Sequence, residues 1–284
     1  MDKQLSQRLE QLLDRVEKPA RYIGGEMNTD VKPRDRETAA FAFCFPDTYE
    51  VAMSHLGLKI LYAVINSQPD MLCERVMMPW YDMADLLRQQ KLPLCSLESR
   101  TPLHQFDLVG FTLQYEMSFT NVLEMLDLGQ IPLRSADRGE ELPIVIAGGP
   151  CAFNPEPLAP FIDAFLVGDG EHAIVEITRL VKQMRLQSAP RQQILRALAQ
   201  VDGCYVPSLY QVDYLEDGRM SGFTVLEQEA SLPVRKRLEL DLDRLPFPDT
   251  IPVPYTEIVH DRIAIEIMRG CTRGCRFCQA GMLY

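Results

Sequence analysis

The chain of 284 residues carries 29 basic and 40 acidic side chains, a net charge of -11, and is 46% hydrophobic. That length and apolar content suffice for one complete α/β core plus part of another domain, and exclude a single small module. The acidic balance argues against a broad phosphate-binding surface for DNA or RNA, and no apolar stretch reaches the roughly 18 to 20 residues a membrane-spanning helix needs.

The start, MDKQLSQRLEQLLDRVEK, sets Leu5, Leu9, Leu12, Leu13 and Val16 at helical spacing among charges, which predicts an amphipathic helix over 1–18 rather than a signal peptide. Eight cysteines without a signal segment fit a reducing compartment, so the cytoplasm is the expected location. After a polar stretch to Arg36, short apolar runs alternate with amphipathic segments, the pattern of βαβ units around a parallel sheet. Strands are predicted over 40–45, 74–78, 108–113, 144–147 and 164–167, with a weaker one at 94–97. Helices are predicted over 54–66, where Ser54 is placed as N-cap, and over 83–89, 119–128 and 173–184. The sum is a Rossmann-like, doubly wound parallel sheet over 40–190, behind an N-terminal helix and arm over 1–39.

Residues 191–254 read as a β-hairpin and a proline-rich linker. Two β-rich stretches, 204–214 and 220–226, flank a turn at Asp217-Gly218, and Pro246, Pro248, Pro252 and Pro254 then hold the chain extended. The basic run Arg235-Lys236-Arg237 lies in this polar connector and reads as a solvated surface turn. From 255 onward a second domain begins: a strand over 262–267 leads through Met268-Arg269-Gly270 into CTRGCRFC at 271–278.

Five cysteines, Cys44, Cys73, Cys95, Cys151 and Cys204, are scattered in or beside apolar runs and read as small buried hydrophobes. Cys271, Cys275 and Cys278 differ. Their thiolates, separated by three and then two residues, can each ligate a different iron of a [4Fe-4S] cube and leave the fourth iron without a protein ligand. An open iron can chelate the amino and carboxylate groups of S-adenosylmethionine, so that an electron from the reduced cluster breaks a carbon–sulfur bond and yields a 5′-deoxyadenosyl radical. Gly270 and Gly274 suit a tight loop with unusual dihedrals, and Phe277 is placed to shield the cluster. Structural zinc would want a fourth ligand, and a ferredoxin-type carrier a fourth cysteine; neither is nearby.

The stretch MRGCTRGCRFCQAGML at 268–283 resembles the cluster loop of radical S-adenosylmethionine enzymes. With KPARYIGGE at 18–26, FTLQYE at 111–116 and AGGPCAFNPE at 147–156, the whole chain resembles an uncharacterised family that carries a cobalamin-binding-like domain ahead of the radical domain. The resemblance implies that Cys271, Cys275 and Cys278 are the cluster ligands, and that residues 255–284 are the first strand and cluster loop of a (β/α) barrel. It further implies S-adenosylmethionine on the open iron, a reductant partner such as flavodoxin or ferredoxin, and cobalamin in the N-terminal domain for methyl transfer or rearrangement. Because the sequence stops six residues after Cys278, this chain is expected to be a truncated or split product, inactive alone.

In open α/β sheets ligands sit beyond the carboxyl ends of the strands. The candidates there are Pro46-Asp47-Thr48, Thr112 with Gln114, Gly148-Gly149-Pro150, and Gly168-Asp169-Gly170-Glu171. Thr112, Gln114, Gly148, Gly149, Gly168, Gly170 and Glu171 form the proposed cobalamin site, although any single glycine there also serves simply to turn strand into helix. MSHLG at 53–57 lacks the Asp-x-His-x-x-Gly pattern that supplies a histidine to cobalt, so His55 reads as a helix-start or core residue. His104, His172, His260, Asp241 and Asp243 are isolated and read as structural. A non-enzymatic cobalamin- or nucleotide-binding module with a vestigial cysteine loop is the rival reading. A methylthio-inserting enzyme would need three further cluster cysteines, which the scattered spacing does not provide.

Overall fold

The computed structural model describes residues 3–283; Met1, Asp2 and Tyr284, which belong to the predicted first and last segments, lie outside the described residues. Helix α1, Lys3–Glu10, covers only the front of the amphipathic run; a turn and a short 3-10 segment at Leu13–Arg15 follow, and bring Leu12 and Val16 into the core.

Strand β1, Ala39–Phe45, reads AAFAFCF and is buried throughout, as a strand covered on both faces must be. A short helix α2, Tyr49–Ala52, precedes α3, Leu56–Asn66. Next come β2 at Met71–Met77, α4 at Tyr81–Gln90, β3 at Leu108–Thr112 and α5 at Phe119–Leu128. The chain continues through β4 at Ile144–Gly148, β5 at Ala164–Leu166, α6 at Glu171–Leu186, α7 at Arg191–Leu198 and β6 at Cys204–Tyr205.

These strands form one six-stranded sheet in the order β2-β1-β3-β4-β5-β6, parallel except for β6. From β1 the chain moves to one side of the sheet and from β3 to the other, which makes the carboxyl ends of β1 and β3 the switch point where ligands gather in such sheets. Helix α3 packs on β1, β2 and α6, and α4 packs on α5. The Asn66 side chain, at the end of α3, exchanges hydrogen bonds with the backbone of Cys73 at 2.9 and 3.0 Å, which fixes α3 against β2. In β3, Gly110 leaves room for a neighbouring ring: a Cβ there would lie 2.2 Å from Phe41.

Several expected elements differ. The N-cap of α3 is His55, not Ser54, whose hydroxyl instead donates to the Glu50 carbonyl of α2. Residues 94–97 make no strand; Cys95 forms an isolated bridge with Pro102. The predicted β-stretch 204–214 is split by a 3-10 turn, its start joining the main sheet as β6 and its end forming β7, Tyr210–Tyr214, paired with β8, Met220–Val225. No strand forms over 262–267: Ile263, Ile265 and Ile267 alternate as a strand would, but no described strand lies alongside to take up the backbone hydrogen bonds, and they are exposed. The last element is a single helical turn, α8, at Ala280–Leu283. No described helix is long and apolar enough to cross a membrane.

An ion network ties the N-terminal arm to the sheet. Arg75, fully buried in β2, donates from Nη2 to Glu26 Oε2 at 2.9 Å and from Nε to Glu98 Oε1 at 2.6 Å, and its backbone N–H reaches Glu98 Oε2 at 2.7 Å. Tyr49 donates to Glu26 Oε1 at 2.9 Å, and the Arg75 guanidinium lies 5.4 Å from the centre of the Tyr62 ring. Desolvation makes such a cluster costly unless every member is paired, and here each charge is.

Candidate functional site

The loops that follow β1, β3, β4 and β5 meet on the carboxyl edge of the sheet around a cavity of about 470 Å³. Its floor is apolar: Phe41, Phe43, Gly110, Ile146 and Leu166 come from the strands, and Ile60 and Ile174 from α3 and α6. Thr112, Gln114, Gly148, Gly149, Gly168, Gly170 and Glu171, the residues singled out from the sequence, all line this one cavity. Sequence reasoning missed its roof, formed by Glu266, Met268, Arg269, Gly270 and Ala280 from the segment that carries the three cysteines.

Two of the glycines have close-packing reasons. Gly149 has φ +95° and a Cβ there would lie 2.9 Å from the Leu113 carbonyl oxygen, so the turn after β4 folds tightly against the end of β3. Gly168, at φ +116°, lies against the connector: Arg237 donates its N–H to Val167 O at 2.9 Å, Asp169 returns one to Arg237 O at 3.0 Å, and a Cβ on Gly168 would meet that oxygen at 2.1 Å. The connector therefore docks beside the end of β5, and the basic run is held there, with Arg237 paired to Glu176 at 2.7 Å.

His55 lines the cavity while capping α3. Its Nδ1 accepts from the Leu58 N–H at 3.1 Å, and its ring lies 5.3 Å from that of Phe45. Burial depresses its pKa below the ordinary 6.5, only partly opposed by a hydrogen bond to Gln114, so the ring is neutral at neutral pH and Nδ1 is free to accept. Gln114 Nε2 also donates to Thr112 Oγ1 at 2.6 Å. Replacing His55 by Ala is expected to cost about 1 kcal/mol in urea unfolding, and His55→Asn much less, because asparagine also caps. Since the folded pKa is depressed, this contribution is full above about pH 6.5 and is lost as acid protonates the unfolded chain. Equal losses for Ala and Asn would contradict the capping role.

The roof is fastened by charge. Arg269 forms ion pairs with Asp169 at 3.1 Å, with Glu266 at 2.9 Å and with Glu171, the first residue of α6. Hydrogen bonding to Glu266 and Glu171, against the opposing effect of burial, raises the Arg269 guanidinium further above its ordinary value. Nothing periodic in the sequence marks this clamp. Its only trace is an arginine just before the cysteine loop and two acids in the turn after β5.

Cys271, Cys275 and Cys278 are free and exposed, whereas Cys44, Cys73, Cys151 and Cys204 are buried and Cys95 is half-buried. Burial pushes the Cys44 and Cys73 thiols well up, as expected of inert core residues. Gly270 and Gly274 take φ of +82° and +63°, the conformations the loop was expected to need. Phe277 is 92% exposed. Among the described residues no three His, Cys, Asp or Glu side chains are gathered as a metal site. His104 bonds the Gly129 carbonyl, His172 pairs with Glu239, and Asp241 pairs with Arg244.

The structure is thus a mostly parallel α/β sheet with a cavity on its carboxyl edge, roofed by the segment that carries the three cysteines. The family described as radical SAM proteins, N-terminal, matches residues 57–207, more than half of the chain, and the chain belongs to that family. The matched span contains β2 to β6 and most of the cavity wall and ends before the cysteine loop. An uncharacterized protein of Methanocaldococcus jannaschii is 26% identical over 189 residues, 66% of this chain and 33% of that protein, so the chain spans about a third of its relative's length. No solved structure matches the chain.

Proposed function

We propose that this chain is the N-terminal portion of a radical S-adenosylmethionine enzyme, in which Cys271, Cys275 and Cys278 hold a [4Fe-4S] cluster and the fourth iron is left for S-adenosylmethionine. The observation that carries the reading is the three-thiol donor set, alone among the eight cysteines in being exposed, in a loop whose glycines adopt left-handed backbone. When bound, the reduced cluster supplies the electron that cleaves S-adenosylmethionine to methionine and a 5′-deoxyadenosyl radical. Flavodoxin or ferredoxin is the reductant this chemistry calls for.

The sheet is read as Rossmann-like and doubly wound, and its cavity as a cofactor site. About 470 Å³ suits a nucleotide-sized ligand and does not enclose a whole cobalamin, so a cobalamin would place only part of its bulk there. The apolar floor would hold such a group, Gln114 and Thr112 would hydrogen-bond it, and His55, occupied as a cap, would not ligate cobalt. Methyl transfer or rearrangement is the chemistry cobalamin would add. The rival reading, a nucleotide- or cobalamin-binding module with a vestigial loop, draws on the cavity being fully formed while the thiols stand apart.

Anaerobic reconstitution with iron and sulfide separates the two. The enzyme reading expects about four irons and matching sulfide per chain. Uptake of zinc in place of iron, or no metal at all, would overturn it.

A further inference from the structure

Resting on the cluster reading above, we infer that Arg269 is a positioning residue: it latches the segment that carries the three cysteines onto the turn after β5 and so holds that segment as the roof of the cavity. Arg269 stands two residues before Cys271, and its side chain is only 18% exposed. The guanidinium reaches Asp169 at 3.1 Å and the nearly buried carboxylate of Glu171, while Glu266 at 2.9 Å steadies it from its own segment. The receiving turn is itself fixed, because Asp169 also accepts from the Glu239 N–H at 2.7 Å and Gly168 is wedged against Arg237.

The far end of the loop is tied as well. Lys236 Nζ donates to the Leu283 carbonyl at 2.5 Å, and Gly281 lies so close to the Cys271 carbonyl that a Cβ would come within 2.9 Å of it. The thiols thus sit between two anchored ends, and the segments on either side, Met268 to Gly270 and Ala280, are the cavity's roof. A ligand in the cavity meets the loop that carries the cluster.

Three carboxylates surround one guanidinium, so removing Arg269 leaves Glu171 buried without a partner and the loop without its clasp. Lysine, a point charge, would not span Asp169 and Glu171 together as the planar fork does.

The single tryptophan, Trp80, reads the latch. It follows β2, four strand positions from β5 on the same carboxyl edge, roughly 20 Å away. An iron–sulfur cluster absorbs where tryptophan emits and quenches it in a distance-dependent way. In the reconstituted protein Trp80 emission is expected to be strongly quenched; Arg269→Ala and Glu171→Gln keep full iron but lose much of that quenching. In the metal-free chain Arg269→Ala is expected to speed chymotryptic cleavage after Phe277 by about tenfold, because side-chain contacts are what hold this exposed segment to the domain. Unchanged quenching at full iron, or unchanged cleavage of the metal-free chain, would overturn the latch. Failure of the parent chain to take up iron would instead count against the cluster, and the cleavage measurement would still decide the latch.

Discussion

Replacing Arg75 by Met is expected to lower the unfolding temperature by on the order of 10 °C at pH 8, the largest stability effect of any single change considered. The side chain is fully buried, and its removal strands Glu26 and Glu98, both without solvent exposure, in the interior. Breaking a buried pair in this way costs about 3–5 kcal/mol, and each kcal/mol moves the midpoint of a domain this size by roughly 2–4 °C. The loss has a pH signature. Burial raises the Glu98 carboxyl above its ordinary value, and Arg75 is the principal opposing influence. An acid whose folded pKa is raised takes up its proton in the folded state before the unfolded chain does, so falling pH favours folding until the ordinary range near 4.5 is reached. Without Arg75 the rise is larger. The gap between variant and parent should therefore narrow between pH 8 and pH 5.5 in thermal melts followed by circular dichroism; a gap that is constant or widens in acid would show that the carboxylates are not left unpaired.

Single replacement of Cys271, Cys275 or Cys278 by Ala is expected to take reconstituted iron from about four per chain to less than one, because a cube held at only two corners is not retained. The same substitution at Cys44, Cys73, Cys151 or Cys204 should leave the iron count unchanged and act on stability alone, by loss of buried contacts. Iron and sulfide assays on the seven variants check both halves. If a core variant lost iron while a loop variant kept it, the ligand assignment would be wrong.

The core strands were legible because burial on both faces writes itself as an unbroken apolar run, as in AAFAFCF of β1 and IVIAG of β4. Helix α5 was read with its bounds intact, since Phe119, Val122, Met125 and Leu126 recur at helical spacing between turn residues. Helix α7 was not read: RQQILRAL offers just Ile194, Leu195 and Leu198 to a buried face, too brief a pattern to stand out from a linker. The cap of α3 was misplaced by one residue, because Ser54 and His55 both offer acceptors and only the backbone geometry chooses between them. For 262–267 the alternation was real, yet a strand exists only with a partner ladder, which no local pattern supplies.

At the site, the glycine turns and the cysteine spacing were visible because each is a local pattern with a physical cause. The buried Glu26–Arg75–Glu98 network and the Arg269 clamp were not, since each pairs charges that lie far apart in sequence and meet only once the chain is folded. A charged pair inside an otherwise apolar strand, Glu74-Arg75 in MLCERVM, was the one clue to the first of these.

On the cluster reading three thiolates grip the cube and leave one iron open. Mössbauer spectroscopy of the chain reconstituted with 57Fe, before and after addition of S-adenosylmethionine, distinguishes that iron from the rest. One iron in four is expected to change its signal while the other three do not. Four irons that are all indifferent to S-adenosylmethionine, each already ligated by the protein, would refute the assignment.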